Sequence, residues 1–123
     1  PTELSHAFNL ATKLFAKGDV DGAAGHFQKA LGDPRFKKQS YHQLGHCFAK
    51  KKLLDLAAQQ YTSCLSLIED DLGDEAKEVR YSRARVYEAV GKKAEAEADY
   101  TRLVELDLGF RDAADRLAAL RGA

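Results

Sequence analysis

Tryptophan and methionine are absent from this 123-residue sequence, and proline and cysteine occur only twice each. Proline breaks a helix from within, by removing a backbone donor and clashing with the preceding turn. With only Pro1 and Pro34 present, long helices meet almost no covalent obstacle. Cys47 and Cys64 have no metal-type spacing, and two thiols make no disulfide framework, which points to a reducing compartment. An excess of either charge is missing too, since Lys+Arg and Asp+Glu are 19 each. A net charge of zero gives no long-range pull toward phosphate backbones or anionic lipid, so neither nucleic acid nor a membrane is the expected partner. No apolar run approaches the roughly 20 residues needed to cross a bilayer, and no signal-peptide pattern is visible. Cytoplasmic localisation is the expectation. The first residue is Pro1 rather than Met, so the sequence reads equally as a processed chain or as a piece of a longer protein.

What is present is helical. Hydrophobic residues make up 45% and charged residues 31%, the balance of one soluble domain, residues 1–123, with a continuous core. β-Branched runs and Asn-Gly turn signals are missing, and apolar residues recur at helical spacing instead. Ala7, Leu10, Ala11 and Leu14 line one face, and Tyr41, Leu44, Gly45 and Phe48 line another. The pattern predicts helices near 3–17, 20–32, 35–50, 53–69, 74–90, 93–107 and 111–121.

The chain also repeats itself. GDVDGAAGHFQKAL (Gly18 to Leu31) overlays KLLDLAAQQYTSCL (Lys52 to Leu65) at a shift of 34 residues, pairing Ala23 with Ala57, Phe27 with Tyr61 and Ala30 with Cys64. A third copy, GKKAEAEADYTRLV (Gly91 to Val104), fits at a further 39 and puts Ala96 and Tyr100 in the same columns. The five extra residues fall in the acidic stretch around Glu69 to Glu75. Small residues at Ala11, Gly45 and Ala84 suit a close approach of two helices, near the short end of the usual ~8–10 Å. Phe27, Tyr61 and Tyr100 are bulky knobs for the next helix pair. Gly18 and Gly91 end first helices where a left-handed residue is cheap, and Lys52 takes that place in the middle copy. Asp33-Pro34 reads as an N-cap followed by a first-turn proline.

A 34-residue period with W-x2-L-G-x2-Y followed by A-x3-F is the pattern of the tetratricopeptide repeat. The sequence resembles that family over nearly its whole length. The middle copy carries Tyr41-x2-Leu44-Gly45-x2-Phe48 and Ala57-x3-Tyr61, and the first carries Ala7-x2-Leu10-Ala11-x2-Leu14, Ala23-x3-Phe27 and Pro34. The third departs at Arg80 and Arg83 but keeps Ala84, Tyr87, Ala96 and Tyr100. The last third, with its Gly-Phe-Arg-Asp junction, is most similar to bacterial members. The resemblance implies an all-α, right-handed solenoid of three repeats, about 4–37, 38–71 and 77–110, closed by a capping helix at 111–121. Ala114, Leu117, Ala118 and Leu120 supply that cap's apolar edge.

It further implies a protein-interaction module whose first helices line a concave groove for a peptide or partner helix. The expected site is Phe8, Thr12 and Phe15, then Gln39, His42, His46 and Lys50, then Tyr81 and Arg85. Phe8, His42 and Tyr81 form one aromatic row, and Thr12, His46 and Arg85 form a second. Phe8 and Phe15 stand off the core stripe, which marks them as anchors for a partner. The plainer alternative is that they pack on their own neighbours or on a preceding helix. A second alternative is self-assembly through an uncapped N-terminal face near Leu4, Phe8 and Phe15.

Other chemistries find less support. The columns that clamp a peptide carboxylate in some relatives carry Phe8, Thr12, Gln43, Glu78 and Ser82, without the needed cations. His42 and His46 stand at i and i+4, a spacing open to metal, yet no third ligand is evident; a solvated pair is expected, with partner affinity changing between about pH 7.5 and 5.5 as they charge. Cys47 and Cys64 read as core thiols and not nucleophiles. The Lys50-Lys51-Lys52 run suits a helix C-terminus, and the acidic stretch suits a solvated turn. No phosphate loop, carboxylate pair or triad is present, so neither an enzyme nor a cofactor is expected.

Overall fold

A computed structural model describes residues 2–122. Among these residues the chain forms seven helices and no strand: α1 (Thr2–Ala16), α2 (Val20–Ala30), α3 (Lys37–Lys50), α4 (Leu54–Ser66), α5 (Asp74–Ala89), α6 (Lys93–Leu106) and α7 (Ala113–Gly122). Each helix packs mainly on its neighbours in the chain, most closely within a pair, so the architecture is an all-α solenoid of three helix pairs closed by α7. The helices match the expected ones within a few residues, with the largest shortfall at the end of α4.

The turn inside each pair has one geometry. Gly18 N–H donates to Phe15 O at 3.0 Å and Asp19 N–H to Leu14 O at 2.9 Å, satisfying carbonyls that the ending helix leaves free. The same two bonds run from Lys52 to Ala49 and from Leu53 to Phe48, and from Gly91 to Glu88 and from Lys92 to Tyr87. All three turn residues are left-handed, with φ of 90° at Gly18, 63° at Lys52 and 80° at Gly91. Lys52 therefore keeps the turn that glycine makes elsewhere and bears the Cβ strain of that conformation.

The interior follows the repeat columns. Phe27, Tyr61 and Tyr100 are 1%, 2% and 0% exposed and fill the space between successive helices. Gly45 lies under Tyr61 so closely that a methyl group there would sit 2.3 Å from the ring, which explains why only glycine serves at that crossing. Cys47 and Cys64 are fully buried, and burial raises their thiols to about 11 and about 12, so both are inert packing groups.

The unexpected arginines of the third repeat are also accommodated. Arg83 reaches Asp99 on α6 with two charge-assisted bonds, Nε to Oδ2 at 2.8 Å and Nη2 to Oδ1 at 2.7 Å. Its third nitrogen donates to Thr62 on α4 at 3.1 Å, so one side chain ties three helices together. Arg80 is held by the Asp71 side chain and carbonyl.

The turns between pairs correct one expectation. Asp33 does not cap α3, whose N-cap is Phe36 without a side-chain bond. Asp33 instead closes its own turn: its carboxylate accepts from Arg35 N–H at 3.0 Å, and its carbonyl accepts from Phe36 N–H at 3.0 Å. The Arg35 guanidinium folds back onto the same carboxylate at 2.7 Å and lowers its pKa. A short polar side chain that can bond the backbone two residues on prefers this arrangement to a helix cap when proline follows it.

Candidate functional site

The first helices α1, α3 and α5 carry the expected row, and each row residue lies against the knob of its own repeat. Phe8 meets Phe27 edge-on at 5.6 Å, His42 meets Tyr61 at 6.2 Å, and Tyr81 meets Tyr100 at 6.2 Å. The three contacts share an edge-on geometry, which aromatic quadrupoles favour. All three row residues are half-buried, so each keeps part of a ring in reach of solvent. Phe8 is also a packing residue, stacked on Phe36 at 4.7 Å, so its own neighbours account for much of its burial.

The second row is more polar. Thr12 turns its hydroxyl back to Phe8 O at 3.0 Å. His46 Nδ1 is hydrogen-bonded to the Tyr61 hydroxyl at 2.6 Å, and its ring lies 4.7 Å from that of His42, tilted by 50°. Arg85 lies over the Tyr81 ring at 6.0 Å, and Lys50 reaches across from α3 to lie 5.6 Å over Phe15 on α1. Gln39 is exposed in the first turn of α3.

The histidines differ from the expected solvated pair. Both rings are half-buried, and burial lowers both pKa values; in His46 the fall is to about 4, with His42 and Lys50 adding to it. Lost hydration outweighs the pull of the Glu75 and Glu78 carboxylates, so the neutral imidazole is favoured. The pH 7.5–5.5 window expected for their charging therefore does not fit His46, whose pKa burial pushes down to about 4.

At the C-terminal end the anionic side chains are already engaged. Glu78 pairs with Arg111 at 2.7 Å, and Glu88 accepts from Tyr100 at 2.8 Å and from Arg116 at 3.2 Å. Asp112 accepts from Tyr81 and from Arg116, the latter at 2.9 Å. Lys50 and Arg85, in contrast, make no ion pair among the described residues. The face thus has satisfied carboxylates and two cations without an anionic partner. None of this network was legible in the sequence, because it joins α5, α6 and α7 across gaps of up to 33 residues. No group of three or more His, Cys, Asp or Glu side chains able to hold a metal occurs among the described residues.

The comparisons bear on the family and the fold. The tetratricopeptide repeat family model matches residues 38–71 and 77–109, more than half of the chain. The chain belongs to the tetratricopeptide repeat family. Among solved tetratricopeptide repeat structures, the first such domain of Spaghetti (RPAP3), bound to an HSP90 peptide, superposes with a TM-score of 0.82 at 17% identity over 98% of this chain and 92% of that one. The Yersinia enterocolitica type III secretion chaperone SycD, in complex with a peptide of the translocator YopD, gives 0.81 at 20% identity, over 98% and 94% of the two chains. The Arabidopsis OM64 domain gives 0.80 at 15% identity, over 98% and 96%. At such identities the likeness is one of fold. Comparison with curated proteins returns no match. No helix among the described residues is long and apolar enough to cross a membrane.

Proposed function

We propose that this repeat domain holds an extended peptide segment of another protein along the first-helix face, with Phe8, His42 and Tyr81 as its apolar contacts. The observation that carries the reading is the pairing of half-exposed rings in all three repeats with two cations, Lys50 and Arg85, that make no ion pair among the described residues. Rings already braced from behind lose little side-chain entropy on binding, so contacts to them convert efficiently into affinity. Thr12, Phe15, Gln39 and His46 border the same face and would set register. Two structural neighbours are described with bound peptides, which supports the mode of use but names no partner here.

The test is a peptide-display selection on the wild-type domain, run beside Phe8→Ala/Tyr81→Ala and Lys50→Ala/Arg85→Ala. Enrichment on wild type that both folded variants lose is the expected result. Enrichment unaffected by either variant would overturn the reading. Because Phe8 packs on Phe27 and Phe36, the lysine–arginine variant is the cleaner comparison for folding.

A second reading is self-association through the outer face of α1 and α2. It is favoured by Leu10, 43% exposed beside a hollow of about 230 Å³ lined by Ala7, His6 and His26. Sedimentation over a range of concentrations decides it, since a monomer throughout removes this reading.

A further inference from the structure

The two inter-repeat turns and the turn into α7 share a pattern that the helix columns conceal. Asp33-Pro34-Arg35-Phe36, Asp70-Asp71-Leu72-Gly73 and Asp107-Leu108-Gly109-Phe110 follow one another at two equal steps of 37 residues. In each, the aspartate carbonyl accepts from the N–H three residues on, at 3.0, 3.2 and 3.0 Å. In each, the aspartate Oδ1 accepts from the N–H two residues on, at 3.0, 3.2 and 3.2 Å. The fourth residue of the turn differs in one case only. Phe36 stacks on Phe8 and Phe110 meets Tyr81 edge-on at 6.0 Å, so both outer turns lay a phenyl ring against the row residue of their repeat. The middle turn has Gly73 at that place, and His42 has no ring laid against it from there.

A hollow of about 330 Å³ stands beside Gly73, at the lower end of the ~300–1,000 Å³ usual for small-ligand sites. Leu67 and Ile68 line its apolar part, and Lys38, one turn from His42 on α3, lines another wall. Glu69, Asp70, Asp74 and Glu75 form the rest of the lining. Lys38 is spent on Glu75 at 2.9 Å, so the excess charge of the rim is negative. A second hollow of about 350 Å³, lined by Pro34, Arg35 and Gln39, shares Lys38 and Leu67 with the first and continues toward the first repeat.

We infer that the hollow beside Gly73 receives an aromatic side chain of the bound peptide, with a lysine or arginine next to it in the peptide sequence. The two filled turns show the chemistry that fits. Each ring there has an arginine beside it in sequence and over its face, Arg35 over Phe36 at 5.4 Å and Arg111 over Phe110 at 5.7 Å. A peptide ring in this hollow meets Leu67 and Ile68, and its basic neighbour meets the rim carboxylates. The inference rests on the peptide-holding reading and adds a specificity-determining position to it.

Gly73→Phe supplies the ring from within and tests the inference directly. Gly73 has φ −82°, open to any residue. An added Cβ there would meet Asp70 Oδ2 at 2.6 Å and its Cγ at 3.0 Å, so the carboxylate that accepts from Leu72 N–H has to shift within the turn. Peptides selected from a random displayed library on wild type are measured by fluorescence anisotropy against Gly73→Phe and against Leu67→Arg, which fills the same hollow from its other side. The expected result is a selected set carrying Phe, Tyr or Trp beside Lys or Arg, bound at least about tenfold more weakly by Gly73→Phe, whose melting temperature is no lower than wild type. Should Gly73→Phe melt lower, Leu67→Arg carries the comparison. Selected peptides that lack such a pair, or that bind both variants as tightly as wild type, overturn the inference while leaving the first-helix site standing. Failure of wild type to enrich any peptide overturns both.

Discussion

Replacing Gly45 by alanine adds one methyl group at the tightest crossing of the helix stack. The new carbon would lie 2.3 Å from Tyr61 Cε1, 2.6 Å from Cδ1 and 2.7 Å from Cζ, where ordinary carbon contacts need about 3.5–4.0 Å. Tyr61 cannot swing aside into solvent, being 2% exposed, and its hydroxyl is held by His46 at 2.6 Å. Either the ring moves by about 1 Å and loses that bond, or α3 and α4 separate. Overpacking of this kind costs about 1–3 kcal/mol, and loss of the hydrogen bond costs about 1 kcal/mol more. The helix preference of alanine over glycine returns about 1 kcal/mol. The net expectation is a loss of about 1–3 kcal/mol, read by urea unfolding followed by circular dichroism, with a melting temperature lower by roughly 5–10 °C. In a Tyr61→Leu background the same change should cost nothing, or stabilise by up to about 1 kcal/mol, because the obstructing ring is gone. Gly45→Ala as stable as wild type, or equally harmful in both backgrounds, would refute the close-crossing account.

Three further outcomes follow from other parts of the structure. Lys52→Gly should raise stability by about 1 kcal/mol in the same unfolding assay, by removing a Cβ from a left-handed turn, whereas Lys52→Ala should give no gain. Arg83→Leu alone should cost about 3–5 kcal/mol by stranding the Asp99 carboxylate, while Arg83→Leu/Asp99→Leu should fall within about 1 kcal/mol of wild type. Stability should be flat between about pH 7 and 8 and fall as pH drops from about 6.5 toward 4. The sign follows from His46: its folded pKa of about 4 lies below the unfolded value, so the unfolded chain takes up the proton first. The groups around the pair are Tyr61 on α4, Lys50 on α3, and Glu75 and Glu78 on α5. The full gap corresponds to about 3 kcal/mol, and screening at the half-buried ring reduces this to about 2 kcal/mol. His46→Gln should remove most of that slope in pH-dependent thermal melts, and an unchanged slope would exclude His46 as its source.

The sequence by itself determined the architecture, because a solenoid is built from local and nearest-neighbour contacts that recur at a fixed period. Ala23, Ala57 and Ala96, with Phe27, Tyr61 and Tyr100 four residues on, are enough to set the second helices, and Gly18 and Gly91 mark where first helices end. The row Phe8, His42 and Tyr81 was legible for the same reason, since it lies one residue after a core column. Tertiary structure alone decided how those side chains are used. It turned His42 and His46 from a solvated pair into half-buried neutral rings, and it made Phe8 a packing residue as well as a surface one. It paired Arg83 with Asp99 and gathered Glu78, Glu88, Asp112, Arg111 and Arg116 into one network. Side-chain partners of this kind depend on angles and distances between helices far apart in sequence, and no periodicity encodes those. The hollow at Gly73 stands between the two cases: the 37-residue recurrence of its turn was in the sequence, but only the packing of Phe36 and Phe110 shows what glycine leaves open.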